Sequence, residues 1–563
     1  MISKPGKTIR LALLALVVVI SWGVALRVWH LDRQVVFDDE VWTAIRVAGI
    51  SERELASSFD DREHAVASWR ERFFTASARG APAIVQTLAH DEPQWPPLHF
   101  VLTWWWERIV GSSPLAARVL AAVFGILAIP AVAWLARELF GSNLAAAIAA
   151  GLFAVSPVAV AYAREARGYS LLMLAIAASS AALLRASRTR VPRDWAIYAV
   201  ALLAGLYDYT LFAIVAAGHA VWTFLDRRNA RPAVRSYLLA ALPVLALWSP
   251  WLLVALTHRG QIEARLPTTA GHDFATFVLP KWLYNVCLPF FALDFWVVRL
   301  GWLTLPIAAI VAGAIGVLWR TAEGRRALLF LASISLPTAG VLMVVDLRWH
   351  LSLVLLARYE MPLLIALEVA VAGALAQALA RDQTRRVRRF AALAAGGLLL
   401  ATSASSSAWV AGAPYWWDTW YDASVFPVIA AINARERPLL VAEEQTFPEV
   451  VFANGLRDDA RLLLLRSDPN GRCRHTVIDA AGSSAFLLAR PASLRHQPRL
   501  QGDVRLKPVF VSDGRAGLAW RYEQLLHGHV PRGETSRWAA FELFRIEQRA
   551  TTQTRLQRLV VCR

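Results

Sequence analysis

Cysteine is scarce in this chain, with only Cys287, Cys473 and Cys562 among 563 residues. None stands in a CxxC spacing, which excludes zinc-ribbon and thioredoxin-like readings. Cys473 and Cys562 both fall in the polar C-terminal part. They form a candidate disulfide if that part lies outside the cytoplasm, the alternative being two separate thiols. Internal repeats and low-complexity tracts are missing, which argues against transporters assembled from duplicated halves. Charge is sparse in the middles of the apolar blocks, Glu368 being an exception. A transporter or flippase would instead keep ionisable groups near the bilayer midplane. No small-x-small cleavage site follows the first apolar run, Leu11 to Trp29, so that run reads as a retained span.

What is present is apolar length and positive charge. The chain is 57% hydrophobic with mean hydropathy +0.42, and its apolar blocks approach the ~20 residues needed to cross hydrocarbon. A net charge of +17 would suggest nucleic acid in a soluble protein, but here the basic residues collect in short loops between apolar blocks. Lys4, Lys7 and Arg10, then Arg137, the cluster from Arg185 to Arg193, that from Arg227 to Arg235, Arg320 with Arg325 and Arg326, and the cluster from Arg381 to Arg389 therefore read as cytoplasmic. The blocks 114–136, 142–162, 168–186, 195–207, 209–225, 236–256, 298–319, 327–346, 359–380 and 390–410 then alternate direction without a parity error. With the first run they make about eleven spans. Leu98 to Val110, bounded by Pro96-Pro97 and Gly111 and carrying Trp104, Trp105 and Trp106, is too short to cross and belongs in the outer interface.

This reading gives a mainly α polytopic helical bundle. A membrane domain covers 1–410, with a long periplasmic first loop at 31–97, and a periplasmic mixed α/β domain covers 411–563. Helices are expected in the first loop at 41–57 and 64–78. In the tail, strands are expected at 438–442, 461–465, 485–489 and 540–546, and helices at 447–454 and 516–526.

The distinctive polar residues fall on the outer side. Asp38-Asp39-Glu40 follows the first span, where carboxylates are placed to act on a substrate anchored in lipid. Asp91, Glu92 and His99 flank Pro96-Pro97. Tyr162, Arg164, Glu165, Arg167 and Tyr169 form a second group, and Tyr207-Asp208-Tyr209 forms a tight turn. Lys281, Asp294, Asp346, Arg348, His350, Arg358 and Tyr359 complete the set. Arginine forks suit phosphate oxygens and carboxylates accept hydroxyl protons, so the set points to a substrate bearing a phosphate and hydroxyls. Each signal has a bland counterpart: solvated acids, acids stabilising a helix start, surface ion pairs, interfacial histidines, and an anchoring tryptophan run.

In order along the chain, Asp39-Glu40, Trp95-Pro96-Pro97-Leu98-His99-Phe100, Ala117 to Gly125, Ala136 to Gly141, Ser156-Pro157 with Tyr162 and Arg164-Glu165-Ala166-Arg167-Gly168-Tyr169, and Arg358-Tyr359 with Pro362 resemble the GT-C membrane glycosyltransferases. The resemblance is to the relatives of the dolichyl-phosphate-mannose protein mannosyltransferases and the lipid A aminoarabinose transferases. It spans roughly Asp38 to Pro362. It departs at Trp95, where a histidine is often found, and at Val41-Trp42, where the aminoarabinose transferases usually have a basic residue; here the first is Arg46.

The resemblance implies a bacterial inner-membrane enzyme. It would move a hexosyl or pentosyl group from undecaprenyl phosphate to a lipid, glycan or protein acceptor on the periplasmic face, with inversion. It implies Asp39 as base with Glu40 beside it, and Asp91, Glu165, Tyr169 and Asp208 orienting the acceptor. Arg358 leads the donor-phosphate cations, followed by Arg164, Arg167, Arg348 and Lys281. No metal is assigned; for a divalent cation, Glu40, Glu165 and His99 are the residues offered. The alternatives are a ligase or polymerase using diphosphate-linked oligosaccharides, and a non-enzymatic lipid or solute transporter or flippase.

Overall fold

A computed structural model describes residues 7–226, 231–264, 279–292, 304–349, 353, 356–380, 386–413, 425–443, 448–465, 474–479, 485–489, 504–511, 542–548 and 556–561. Asp294, His350, Cys473, Cys562 and the 516–526 segment lie outside the described residues. The chain packs as two compact units: one takes residues 1–32, 88–106 and 115–413, the other 33–87, 107–114 and 414–563.

The first unit is a helical bundle, and it makes this a multi-pass membrane protein. Seven helices are long and apolar enough to cross a bilayer: Leu11–Val28, Pro114–Phe140, Tyr169–Thr189, Ala233–Thr257, Ala322–Trp349, Ala357–Ala380 and Arg386–Gly412. Asn143–Ala154, Phe212–Leu225 and Thr304–Trp319 are shorter apolar helices. The expected 142–162 span is broken, because Ser156 is extended and Pro157 starts a new short helix, Pro157–Tyr162. Proline is compatible with a first helical turn but removes the donor that a continuous helix would need. Leu98–Val110 is a separate helix of 13 residues and is not among the candidate spans.

Ion pairs tie several of the arginine-bearing helix ends together. Arg188 meets Glu138 at 2.7 Å, Arg185 meets Asp194 at 3.1 Å and Arg326 meets Asp226 at 2.6 Å. These ends come from helices predicted to finish or start on one side. The opposite end of Tyr169–Thr189 carries Arg167-Gly168. At 21 residues that helix separates the two ends by ~30 Å. Close approach at the Arg167 end depends on Gly125, whose added Cβ would collide with that of Ala163.

The second unit is α/β. Strands β1 (Glu63–Ala65), β2 (Leu439–Glu443), β3 (Arg461–Leu465), β5 (Ala485–Ala489), β6 (Val504–Val511) and β7 (Glu542–Gln548) form one sheet in the order β1-β3-β2-β5-β7-β6. β4 (Arg474–Asp479) and β8 (Leu556–Val561) form a separate antiparallel pair. β2 runs parallel to both β3 and β5, and the remaining ladders of the large sheet are antiparallel. The helix Pro448–Gly455 supplies the β2-to-β3 crossover, as parallel neighbours require. Leu439 to Ala442 and Leu462 to Leu464 are buried without alternation, the pattern of strands covered on both faces.

Residues 33–87 share this unit's core. Phe37, Val41 and Ile45 recur at intervals of four, which turns one face of helix Asp38–Val47 inward. They pack with Val66, Trp69 and Phe73 and with Leu440, Leu462, Phe486 and Leu543. β1 pairs antiparallel with β3, His64 opposite Leu462. The expected 41–57 helix is two helices, Asp38–Val47 and Glu52–Ala56. Gly49 separates them at φ +68°, a left-handed conformation that glycine adopts without steric cost.

Candidate active site

The helical unit gathers two arginines and several aromatic rings around the start of Tyr169–Thr189. Arg167 lies over the Trp95 ring at 4.4 Å and the Phe100 ring at 5.9 Å. Arg358, from the short 3-10 turn Ala357–Glu360, lies over the rings of Tyr169 and Tyr359, each at 5.7 Å. Tyr169 contacts Tyr162 at 5.0 Å and Trp95 at 6.3 Å, and Trp95 contacts Tyr209 at 5.4 Å. Five chain segments therefore meet here: the Pro96-Pro97 approach, the end of the broken helix, the start of Tyr169–Thr189, the Asp208–Tyr209 corner and the Arg358 turn.

Local sequence explains why each side chain is presented. Helix Pro192–Asp208 ends because Tyr209 is extended, at φ −146° and ψ 122°. Thr210 Oγ1 then donates to the Gln94 carbonyl at 2.7 Å, fixing that corner beside Trp95. Gly168 is required by proximity: a Cβ there would sit 2.7 Å from Asp208 Oδ1 and 3.3 Å from His99 Cβ. His99 is buried, and that burial, with the Arg167 charge adding to it, lowers its pKa to about 3. It is a neutral imidazole in this environment.

A second polar group adjoins Arg358 along the chain. Asn285 Nδ2 donates to Glu360 Oε1 at 3.0 Å. Lys281 and Asp346 both act electrostatically on Glu360, and all four residues are buried. Asp346 Oδ1 accepts the Leu353 backbone N–H at 2.5 Å.

The sequence-proposed residues thus separate. Arg167, Tyr169, Asp208 and Arg358 come together, with Lys281 near the Arg358 turn. Glu165 is buried in the same loop. Arg164 is occupied differently: its guanidinium donates to the carbonyls of Leu26 at 2.7 Å, Trp29 at 2.6 Å and Ala411 at 3.0 Å. Arg118 similarly donates to the Leu31 carbonyl at 2.6 Å. Arg348 is exposed at the end of Ala322–Trp349, over Trp349 at 5.8 Å, and Asp91 ends helix Ala81–Asp91. Among the described residues no group of three or more His, Cys, Asp or Glu is placed to hold a metal ion.

Asp39 and Glu40 lie in the first turn of Asp38–Val47 in the second unit. With Phe37, Val41 and Ile45 facing the core, helical geometry turns Asp39 to the other side, and Thr43 Oγ1 donates to its carbonyl at 3.1 Å. Arg46 is buried, donating to the Ile50 carbonyl at 2.9 Å and to Glu52 Oε1 at 3.3 Å. Sequence reasoning did not assign a role to Trp95, Asn285 or Glu360. The adjacency of Glu360 to Arg358-Tyr359 was the available signal.

Residues 94–254 match the family model described as dolichyl-phosphate-mannose-protein mannosyltransferase. That stretch contains Trp95, His99, Arg167, Tyr169 and Asp208. No curated protein matches the chain. Among solved structures, ArnT from Cupriavidus metallidurans in the apo state aligns with a TM-score of 0.50 and 15% identity, over 89% of this chain and 96% of ArnT. The chain has the GT-C fold. ArnT from the same organism bound to undecaprenyl phosphate aligns at TM-score 0.49 and 14% identity, over 95% and 97% of the two chains. The archaeal oligosaccharyltransferase AglB from Archaeoglobus fulgidus aligns at 0.41 and 13%, over 81% and 64%. The Arg167 and Arg358 cluster belongs to the helical unit, while Asp39 belongs to the α/β unit.

Proposed function

We propose that the chain is a glycosyltransferase that takes a sugar from a polyprenyl-phosphate donor, undecaprenyl phosphate in a bacterial inner membrane, and transfers it to a lipid, glycan or protein acceptor on the periplasmic face. The observation that carries this reading is the burial of Arg167 and Arg358 among Trp95, Tyr169 and Tyr209 at one end of the bundle. Guanidinium groups suit phosphate oxygens, and rings suit the apolar faces of a sugar. A desolvated cation is worth far more to a departing phosphate than one in water.

In the proposed step Asp39 accepts the acceptor hydroxyl proton as that oxygen attacks the anomeric carbon. The bond from that carbon to the phosphate oxygen breaks, and the polyprenyl phosphate leaves against Arg358 and Arg167. Glu40, Asp91, Glu165 and Tyr169 orient the acceptor. One displacement, with Asp39 as base and no covalent glycosyl intermediate, inverts the anomeric centre.

The test is transfer from undecaprenyl-phosphate sugars in proteoliposomes. Asp39→Asn is expected to lower kcat by ~10²–10⁴-fold with donor binding retained, the range for losing a general base. A folded Asp39→Asn variant with wild-type transfer refutes the assignment. Comparing monophosphate with diphosphate donors separates this reading from a ligase.

A further inference from the structure

Asp208 is the polar group of the cluster with the most left over. It is 3% exposed, and neither carboxylate oxygen has a hydrogen-bond partner among the described residues. A buried carboxyl without such a partner is costly unless something satisfies it. Its surroundings say what that is. Oδ1 lies over Gly168, which has no side chain to fill the space. Arg167 acts on Asp208 electrostatically without hydrogen-bonding it. Arg167 also covers Trp95, whose ring meets Tyr209, the next residue after Asp208. Tyr209 feels the charges of both Arg167 and Arg358. A ligand whose phosphate rests on those arginines therefore brings its first sugar ring towards Asp208.

We infer that Asp208 recognises the sugar of the donor lipid, hydrogen-bonding a ring hydroxyl or amine group while Arg167 and Arg358 hold the phosphate. This rests on the donor class proposed above and assigns Asp208 to the donor rather than to the acceptor. Asp208 is a specificity residue: it fixes which sugar is held, not how tightly the lipid phosphate binds. The substrate class is a polyprenyl-phosphate glycoside with a hydrogen-bond donor near its anomeric end.

The experiment measures dissociation constants of the detergent-solubilised full chain for undecaprenyl phosphate, glucosyl-phosphoundecaprenol and aminoarabinosyl-phosphoundecaprenol. Wild type is expected to bind at least one sugar-loaded lipid about tenfold tighter than the bare phosphate, the scale of one hydrogen bond to a charged group. Asp208→Asn is expected to bring that ratio close to one while leaving the bare-phosphate constant unchanged, and Arg358→Gln to weaken all three lipids together.

Retention of the wild-type ratio by Asp208→Asn overturns the inference. So does equal binding of all three lipids by wild type. Loss of the folded state on this isosteric change, read by thermal melting without lipid, assigns Asp208 to packing and overturns it as well. If none of the three lipids binds wild type, the donor reading itself fails, an outcome distinct from the others.

Discussion

Individual arginines in this chain do opposite jobs. Arg164 and Arg167 sit three residues apart in one motif, yet Arg164 bonds the carbonyls of Leu26, Trp29 and Ala411 while Arg167 lies over Trp95. Charge in a sequence motif reads as ligand binding because the sequence does not show which carbonyls come within reach. Arg164→Gln is therefore expected to lower the melting temperature, with loss of the hydrogen bonds costing a few kcal/mol, whereas Arg167→Gln is expected to weaken donor binding with less effect on melting. Thermal melting beside lipid titration checks both. Burial gives His99 a folded pKa of about 3, so the unfolded chain takes up a proton first as the pH falls. Stability from neutral His99 is intact above its ordinary value near 6.5 and is lost as the pH falls below it. Glu107 has the opposite sign. Burial raises its pKa to about 7 against a weaker opposing hydrogen bond from Ser112, so its contribution is intact below about 4.5 and is lost as the pH rises through 7. His99→Gln is expected to flatten the acid side of a melting-temperature profile, and Glu107→Gln the neutral side.

Among the elements, the long apolar helices were legible because apolar length and loop arginines report them directly. The break at Ser156-Pro157 was written in the sequence as a serine before a proline, but hydropathy alone runs through it. Four strands of the α/β unit were legible from compact apolar runs, and β2, β3, β5 and β7 lie within two residues of the expected bounds. β1 was not legible: it is three residues, Glu-His-Ala, and its partner β3 lies far along the chain. Its ends are fixed by non-local bonds, Asp61 N–H to the Leu464 carbonyl at 3.1 Å and Val66 N–H to the Ala460 carbonyl at 2.9 Å. Arg461 pairs with Glu63 at 2.5 Å. Val41, Ile45, Val66 and Trp69 are buried against strands supplied by residues beyond 438. A chain ending at 413 is therefore expected to expose that apolar face. Limited proteolysis should cut residues 33–87 much faster than in the full chain; unchanged protection would show that the segment folds without the tail.

On the scale of the whole molecule, the fold class was readable because the bilayer limits spanning structure to helices of set length and puts arginine on one side. The candidate site was readable only in part. Arg167, Tyr169, Asp208 and Arg358 were selected because their side chains suit a phosphate and hydroxyls, and the fold brings these four to one end of the bundle. Their contacts with Trp95 and the role of Gly168 depend on five segments converging, which no local pattern encodes. The ion-paired ends of the helices holding Arg185 and Arg188 lie ~30 Å from Arg167 along Tyr169–Thr189, so impermeant thiol reagents in right-side-out cells should reach Tyr207→Cys and not Arg188→Cys. In the proposed enzyme Arg167 and Arg358 hold the phosphate of a polyprenyl lipid. The most direct measurement is a cryo-electron-microscopy map of the full chain with undecaprenyl phosphate. The expected result is phosphate density within hydrogen-bonding distance of both guanidinium groups; well-resolved phosphate density at the Arg185 and Arg188 end, with none at Arg358, would contradict it.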